Sequence, residues 1–207
     1  FKIFVDSCHA NGIAVILDIA MNHAFGQSPL VQMWWDAAAN APAANSPYFN
    51  QVPTHDYNVG YDFNHESNAT RNMRNIVFSY WLQEYNVDGY RFDLSKGFTQ
   101  TNTLGDVGLW GQYDASRIAI WKDIADVLYA VEEDAILILE HFANNTEEEE
   151  LSDYGFLLWG NSNYNYGQGT MGYTGSDIAW MSYVSRGWSD PHVMGYMESH
   201  DEERLMA

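Results

Sequence analysis

Basic residues are scarce. Lys and Arg number 9 against 28 Asp and Glu, which gives a net charge of −19. Such a field repels phosphate backbones and anionic membrane surfaces, so nucleic acid is not an expected partner. A neutral ligand is indifferent to it. Cysteine occurs once, at Cys8, which excludes an internal disulfide framework and says little about redox compartment. No apolar run approaches the roughly 18 residues of a membrane span. Repeats and low-complexity tracts are missing as well. So is an initial Met: the chain opens on Phe1 inside a helical pattern and ends at Arg204-Leu205-Met206-Ala207, again mid-element. The expectation is a piece of a longer protein, for which the lack of a signal peptide carries no information.

What is present is globular. Hydrophobic residues make up 46% of the 207 positions, enough to bury a core, and the length favours one domain. Aromatics are abundant, with 8 Trp, 14 Tyr and 10 Phe. Their plain role is core filling. Trp and Tyr also combine a flat apolar face with a polar tip, which suits a cleft that stacks hydroxyl-bearing rings.

Phe1, Phe4, Val5 and Cys8 form a helical stripe that Asn11-Gly12 should stop. AVILDIA (14–20) is then a near-continuous β-branched and apolar run, as in a parallel strand covered on both faces. Residues 24–66 lose periodicity and carry Pro29, Pro42, Pro47 and Pro53, so they are expected to form an irregular excursion or small subdomain. Helical spacing returns at Met73, Ile76, Val77, Tyr80 and Trp81, and again at Ile118, Trp121, Ile124, Ala125 and Leu128. Strands are expected at 14–19, 87–93, 135–140, 154–159 and 192–197, with a long loop over 94–113. Thr146 followed by Glu149 fits a capping box, which makes the Glu147–Glu150 run a first helical turn favoured by the macrodipole. Helices alternating with buried strands predict an α/β fold with a parallel sheet and crossover helices.

Polar residues cluster where these strands end. Asp18, Asn22 and His23 attend the first strand, Asp93 the second, Glu140 the third, and Glu198, His200 and Asp201 the last. In α/β barrels and open α/β sheets that edge holds the active site. In GYRFDLS (89–95), Arg91 and Asp93 share one face of the strand, while Tyr90 and Phe92 share the other. A buried charged pair costs several kcal/mol per ion unless it is compensated, so function is a better account of it than structure alone. Asp93, Glu140 and Asp201 bring three carboxylates to one rim, and two carboxylates flanking a bond are the equipment of glycoside hydrolysis. Arg91 beside Asp93 favours an ionised nucleophile. Glu140, ending an apolar run, is suited to stay protonated as a general acid.

These residues resemble the α-amylase family of glycoside hydrolases. LDIAMNH (17–23), GYRFDLSK (89–96), ILILEHF (136–142) and MESHD (197–201) are similar to its four principal signatures in order, and GYDFNHES (60–67) resembles a fifth. The resemblance implies a (β/α)8 TIM barrel, present from about strand 3 to strand 7, with residues 24–66 as an insertion within a partial catalytic domain spanning 1–207. It implies a retaining double displacement on α-1,4-glucosidic bonds of starch-like glucan. Asp93 would be the nucleophile, Glu140 the acid/base and Asp201 the transition-state stabiliser. His23, Arg91 and His200 would contact substrate. Asp18 joins them, with loop organisation through backbone N–H groups as the plainer alternative. No cofactor is implied for catalysis, but Asn22 matches an asparagine that binds calcium in many members, which makes calcium a candidate structural ion. Gly97 stands where many members have His, and the 94–113 loop carries Trp110 and Tyr113, so substrate preference departs from the common pattern. A polymeric substrate suggests an extracellular or periplasmic setting.

Other classes fit less well. His200-Asp201 alone would suit a metal phosphohydrolase, but no further ligand set accompanies it, and the negative field opposes a phosphorylated substrate. His9, His55, His65, His141 and His192 are expected to be structural or exposed. A non-catalytic glucan-binding relative should lack one of the carboxylates, whereas a transglycosylase or branching enzyme would keep all three. Five of eight strands would leave sheet edges open, so the 207 residues alone are expected to fold poorly.

Overall fold

A computed structural model gives the structure of residues 1–202, 204 and 205. The expected onset of a further helix at the chain's end falls partly on Met206 and Ala207, outside the described residues. Five strands, β1 (Ile16–Ile19), β2 (Gly89–Phe92), β3 (Ile136–Leu139), β4 (Leu157–Asn161) and β5 (Val193–Tyr196), form one parallel sheet in chain order. Parallel neighbours need long crossovers, and helices supply them. Helix α1 (Lys2–His9) precedes β1, α2 (Asn68–Tyr85) connects β1 to β2, α3 (Ala115–Tyr129) connects β2 to β3, and α4 (Asn145–Asp153) connects β3 to β4. This is the α/β architecture expected of alternating patterns. No described helix is long and apolar enough to cross a membrane.

Register decides which residues meet. Asp18 pairs with Arg91, Arg91 with Ile138, Ile138 with Leu157, and Trp159 with Met194. Side chains alternate along each strand, so these residues share one face, and Tyr90, Phe92, Leu137, Leu139 and Leu158 share the other. The second set joins the main core with Phe78 and Leu82 of α2 and Trp121, Ile124 and Leu128 of α3. Trp121 is at its centre, fully buried, with its ring centroid 5.0 Å from Phe92 and 4.4 Å from Phe98. Each such side chain contributes about 1.5–3 kcal/mol by leaving water. The first face is left for polar chemistry.

Helix ends are set by local side chains. Ser67 caps α2 by accepting from the Ala69 N–H, and Asn86 ends it in the left-handed region at φ 54°. Asp114 caps α3 through the Ser116 and Arg117 N–H groups. The cap of α4 is Asn144, whose side chain accepts from the Thr146 N–H at 2.9 Å. This corrects the expected Thr146–Glu149 box: an asparagine two residues earlier takes the position. Glu147 and Glu148 are buried rather than solvated, because Arg117 and Arg186 meet them. The expected strand at 154–159 shifts to Leu157–Asn161, since Tyr154 ends the helix and Gly155 turns the chain at φ +108°.

The 24–66 excursion holds two short antiparallel pairs, His23–Ala24 with Tyr61–Asp62 and Trp35–Asp36 with Ala41–Pro42, and a short helix Pro29–Met33. Phe49 and Phe63 pack together at 4.3 Å within it. The 94–113 loop contains the turn Ser95–Gly97 and a short helix Val107–Trp110.

Candidate active site

Arg91 is nearly buried and organises three carboxylates. Its Nη1 donates to Asp18 Oδ1 at 2.8 Å and to Asp93 Oδ1 at 2.6 Å. Its Nη2 lies 2.9 Å from Glu140 Oε2, an ion pair without hydrogen-bond alignment. The guanidinium carbon sits 4.1 Å from the Trp159 ring centroid. Asp93 immediately follows β2 and Glu140 follows β3. The Asp93 N–H donates to Ile19 O, and the Glu140 N–H donates to Phe92 O, so both residues are fixed by continuations of the sheet ladder.

Leu94 comes next with φ 47°, a left-handed conformation that a branched residue adopts only under constraint. That turn aims its N–H at Glu140 Oε2, 2.8 Å away. Ser95 adds two bonds to the Glu140 carbonyl, from its N–H at 3.0 Å and its hydroxyl at 2.8 Å. The turn after one carboxylate therefore holds the other.

Glu140 is raised above the usual carboxylate range. Burial is the main cause; the Leu94 N–H and Arg91 pull it down, while Asp93 and Asp201 push it up. His200 Nε2 stands 3.6 Å from Asp93 Oδ1 and 3.5 Å from Asp201 Oδ2, and both His200 and Asp201 are exposed on the rim. His23 lies on the first short antiparallel pair. Burial lowers its pKa, with Asp93 acting in the opposite sense. A cleft of about 400 Å³ is lined by Asp93, Glu140, His200, Asp201 and His23. Asp18 stays at its edge, largely exposed and tied to Arg91.

The opposite wall was not legible in the sequence. Asp56, Tyr57, Asn58 and Val59 of the excursion line it. Tyr57 is half-exposed and stacks on Trp110 at 5.0 Å and 11°, and Trp110 in turn stacks on buried His55 at 4.7 Å and 9°. The one signal was local: the stretch HDYN mixes aromatic and polar groups without any period.

Beneath the site, His141 accepts or donates at Ser95 Oγ (2.8 Å) and at Glu147 Oε1 (2.8 Å). Arg117 reaches Glu147 through Nε at 2.5 Å and Nη2 at 2.7 Å, and the Lys96, Trp110 and Gln112 carbonyls through its other donors. Burial pushes Glu147 up, but His141 and Arg117 outweigh it and leave the carboxyl below its ordinary range.

Asn22 does not fit a calcium ligand as placed. Calcium wants six to eight oxygen donors. Asn22 Oδ1 faces His55 Nε2 at 3.1 Å, and Nδ2 donates to Tyr57 O and Asn58 Oδ1. Gly97 is packed so tightly here that a Cβ would fall 1.7 Å from Oδ1. Among the described residues, the one His/Cys/Asp/Glu group tight enough to share an ion is Asp93, Glu140 and His200, within 4.8 Å of one another. Arg91 already supplies positive charge to its two carboxylates.

No family model matches the chain. Pullulanase of Bacillus subtilis (strain 168) is 30% identical over 105 residues, which is 45% of this chain and 12% of that protein. Isoamylase SU1 of Zea mays is 32% identical over 119 residues, 54% of this chain and 14% of that one. The 1,4-alpha-glucan branching enzyme GlgB of Shewanella baltica (strain OS185) is 24% identical along 97% of this chain and 28% of its own length. The chain thus spans less than a third of these relatives. Among solved structures, a cyclomaltodextrinase superposes with TM-score 0.69 at 18% identity, over 99% of this chain and 35% of that one. A pullulanase from Anoxybacillus sp. LM18-11 complexed with maltotriose gives 0.69 at 18%, over 99% and 29%. At such identities the structural likeness is one of fold.

Proposed function

As a partial domain of the α-amylase family of glycoside hydrolases, to which its pullulanase, isoamylase and branching-enzyme relatives and its amylase-like neighbours point, the chain, we propose, cleaves α-1,4-glucosidic bonds by a retaining double displacement. In this proposal the five strands are strands 3 to 7 of a (β/α)8 barrel. The observation that carries it is the Arg91-bridged pair: Asp93 and Glu140 oxygens lie within 4.8 Å across one cleft. So close an approach of one oxygen from each carboxylate supports a retaining reading over an inverting one, which needs a wider gap to admit a water.

Glu140 enters as the carboxylic acid and gives its proton to the glycosidic oxygen. As that C–O bond breaks, an Asp93 oxygen bonds to the anomeric carbon, and the leaving sugar departs with a new hydroxyl. Glu140, now a carboxylate, takes a proton from water; the water oxygen bonds to the anomeric carbon and Asp93 is released. Asp201 and His200, on the rim beside Asp93, are assigned to the sugar hydroxyls and to the positive charge that develops at the ring. His23 faces the same cleft as a substrate contact. Asp18 serves through Arg91 rather than by touching sugar. The exposed ring of Tyr57, backed by Trp110, offers a flat surface for a glucosyl unit. Asn22 is read as a structural tie between the excursion and the barrel.

In the natural protein, Asp93→Asn and Glu140→Gln should each lower reducing-sugar release from soluble starch by about 10²–10⁴-fold, with folding retained. Near-wild-type turnover in either variant overturns the assignment. A branching or transfer activity is the second reading, favoured by the branching-enzyme relative that matches 97% of the chain. Growth in branch points without new reducing ends would select it. A purely binding role is opposed by the presence of all three carboxylates.

A further inference from the structure

Two of the three guanidinium nitrogens of Arg91 face carboxylates, while Nε is buried with no hydrogen-bond partner among the described residues. Nη1 serves Asp18 and Asp93, and Nη2 faces Glu140. Edge contacts fix where the donors point, but they pack nothing against the faces of the guanidinium plane. The guanidinium carbon lies over the Trp159 ring, 4.1 Å from the centroid. Trp159 reaches that spot because register puts it on the polar face of the sheet, beside Leu157 and opposite Met194. The indole is itself held by Tyr196, 4.8 Å away on the neighbouring strand, and His200 approaches within 6.5 Å. In composition Trp159 reads as one more core aromatic, yet its strand neighbour Leu158 faces the core and Trp159 does not.

We propose that Trp159 is a positioning residue for catalysis: its indole face sets the plane of the Arg91 guanidinium, and through it the separation of Asp93 and Glu140. The idea rests on the roles given above to those two carboxylates. A guanidinium is planar and weakly hydrated, so it stacks on an aromatic ring without losing its edge bonds, a fit that an aliphatic side chain cannot reproduce. Without the ring, Arg91 tilts, water enters below it, and it can satisfy Asp93 or Glu140 but not both in the same geometry. Misplacing a reacting group by about 1 Å can cost on the order of 10²-fold in rate.

Trp159→Leu keeps apolar volume and removes the stacking face; Trp159→Phe keeps a smaller face. In the natural protein assayed on a maltooligosaccharide, Trp159→Leu should lower kcat by roughly 10- to 100-fold, with KM within about threefold, and Trp159→Phe should recover most of kcat. In an Arg91→Lys background, where no flat guanidinium remains, Trp159→Leu should add less than about a further twofold, because the two residues act as one unit. Asp93→Asn is run in parallel. If Asp93→Asn retains activity, the underlying assignment fails. If Asp93→Asn is dead while Trp159→Leu turns over normally, or if the Trp159 and Arg91 effects simply multiply, the stacking role is overturned and the assignment stands. Equal impairment of Trp159→Phe and Trp159→Leu also overturns it, since a plain volume effect would then suffice.

Discussion

Replacing Glu147 by Ala tests how the loop that carries Lys96, Trp110 and Gln112 is held. Glu147 is fully buried and accepts from Arg117 Nε and Nη2, from His141 Nε2 and from the Asp114 N–H at 2.9 Å. Charge-assisted hydrogen bonds are worth roughly 1.5–3 kcal/mol each, which would sum to about 6–12 kcal/mol. That sum overshoots, because Arg117 keeps three carbonyl acceptors and water enters the space left behind. The better guide is the cost of stranding one partner of a buried pair, about 3–5 kcal/mol. With the three carbonyls retained, the expectation is the lower end, ~3 kcal/mol. Urea denaturation of the natural protein and of Glu147→Ala, followed by tryptophan fluorescence, measures it, since Trp110 and Trp121 sit in and beneath the affected loop. A loss smaller than ~1 kcal/mol would refute the picture of Glu147 as the anchor of that loop. A sequence neighbour gives an internal comparison: Glu149 lies in the same run without full burial, and alanine there should cost within about 0.5 kcal/mol.

Two further outcomes follow from the same geometry. Asp201 raises Glu140, so Asp201→Asn lowers it; because the acid form is the one that donates a proton, the alkaline limb of the residual kcat/KM profile should move to lower pH, and a shift to higher pH would contradict the electrostatic account. Gly97→Ala would push a Cβ into Asn22 Oδ1 and 2.7 Å from His55 Nε2, so it should destabilise by about 1–3 kcal/mol; a neutral effect on the melting midpoint would show that the contact gives way freely.

The parts legible in sequence were those governed by period and by strand position. Arg91 and Asp93 two apart on a short apolar run had to share a face, and Tyr90 and Phe92 had to share the core. The strand ends at Ile19, Phe92 and Leu139 announced the rim carboxylates. What stayed hidden depends on residues distant in sequence. Glu147 and Glu148 look like a solvated helical turn to any local rule, because Arg117 and Arg186 lie 30 and 38 positions away. Tyr57 lies in a loop with no period, and its partner Trp110 comes from a different crossover. Trp159 was visible as an aromatic in a strand, but its function depends on register with β3 and β5. The Thr146 cap failed for a simpler reason: two patterns competed, and Asn144 bonds the N–H that starts the helix.

The sheet keeps chain order, and that has a consequence for how the molecule is made. A chain emerging from the ribosome can lay each strand against the edge of the one before it, so assembly proceeds without threading back. The cleft does not mature in the same stepwise fashion. Its first group, His23, is set down early, Asp93 and Glu140 midway, and His200 and Asp201 only after β5 has docked. A chain built only as far as β4 can therefore hold its Arg91-tied carboxylates in place and still lack the His200 and Asp201 side of its cleft. The order of the sheet and the closing of the cleft's rim are thus separated along the chain.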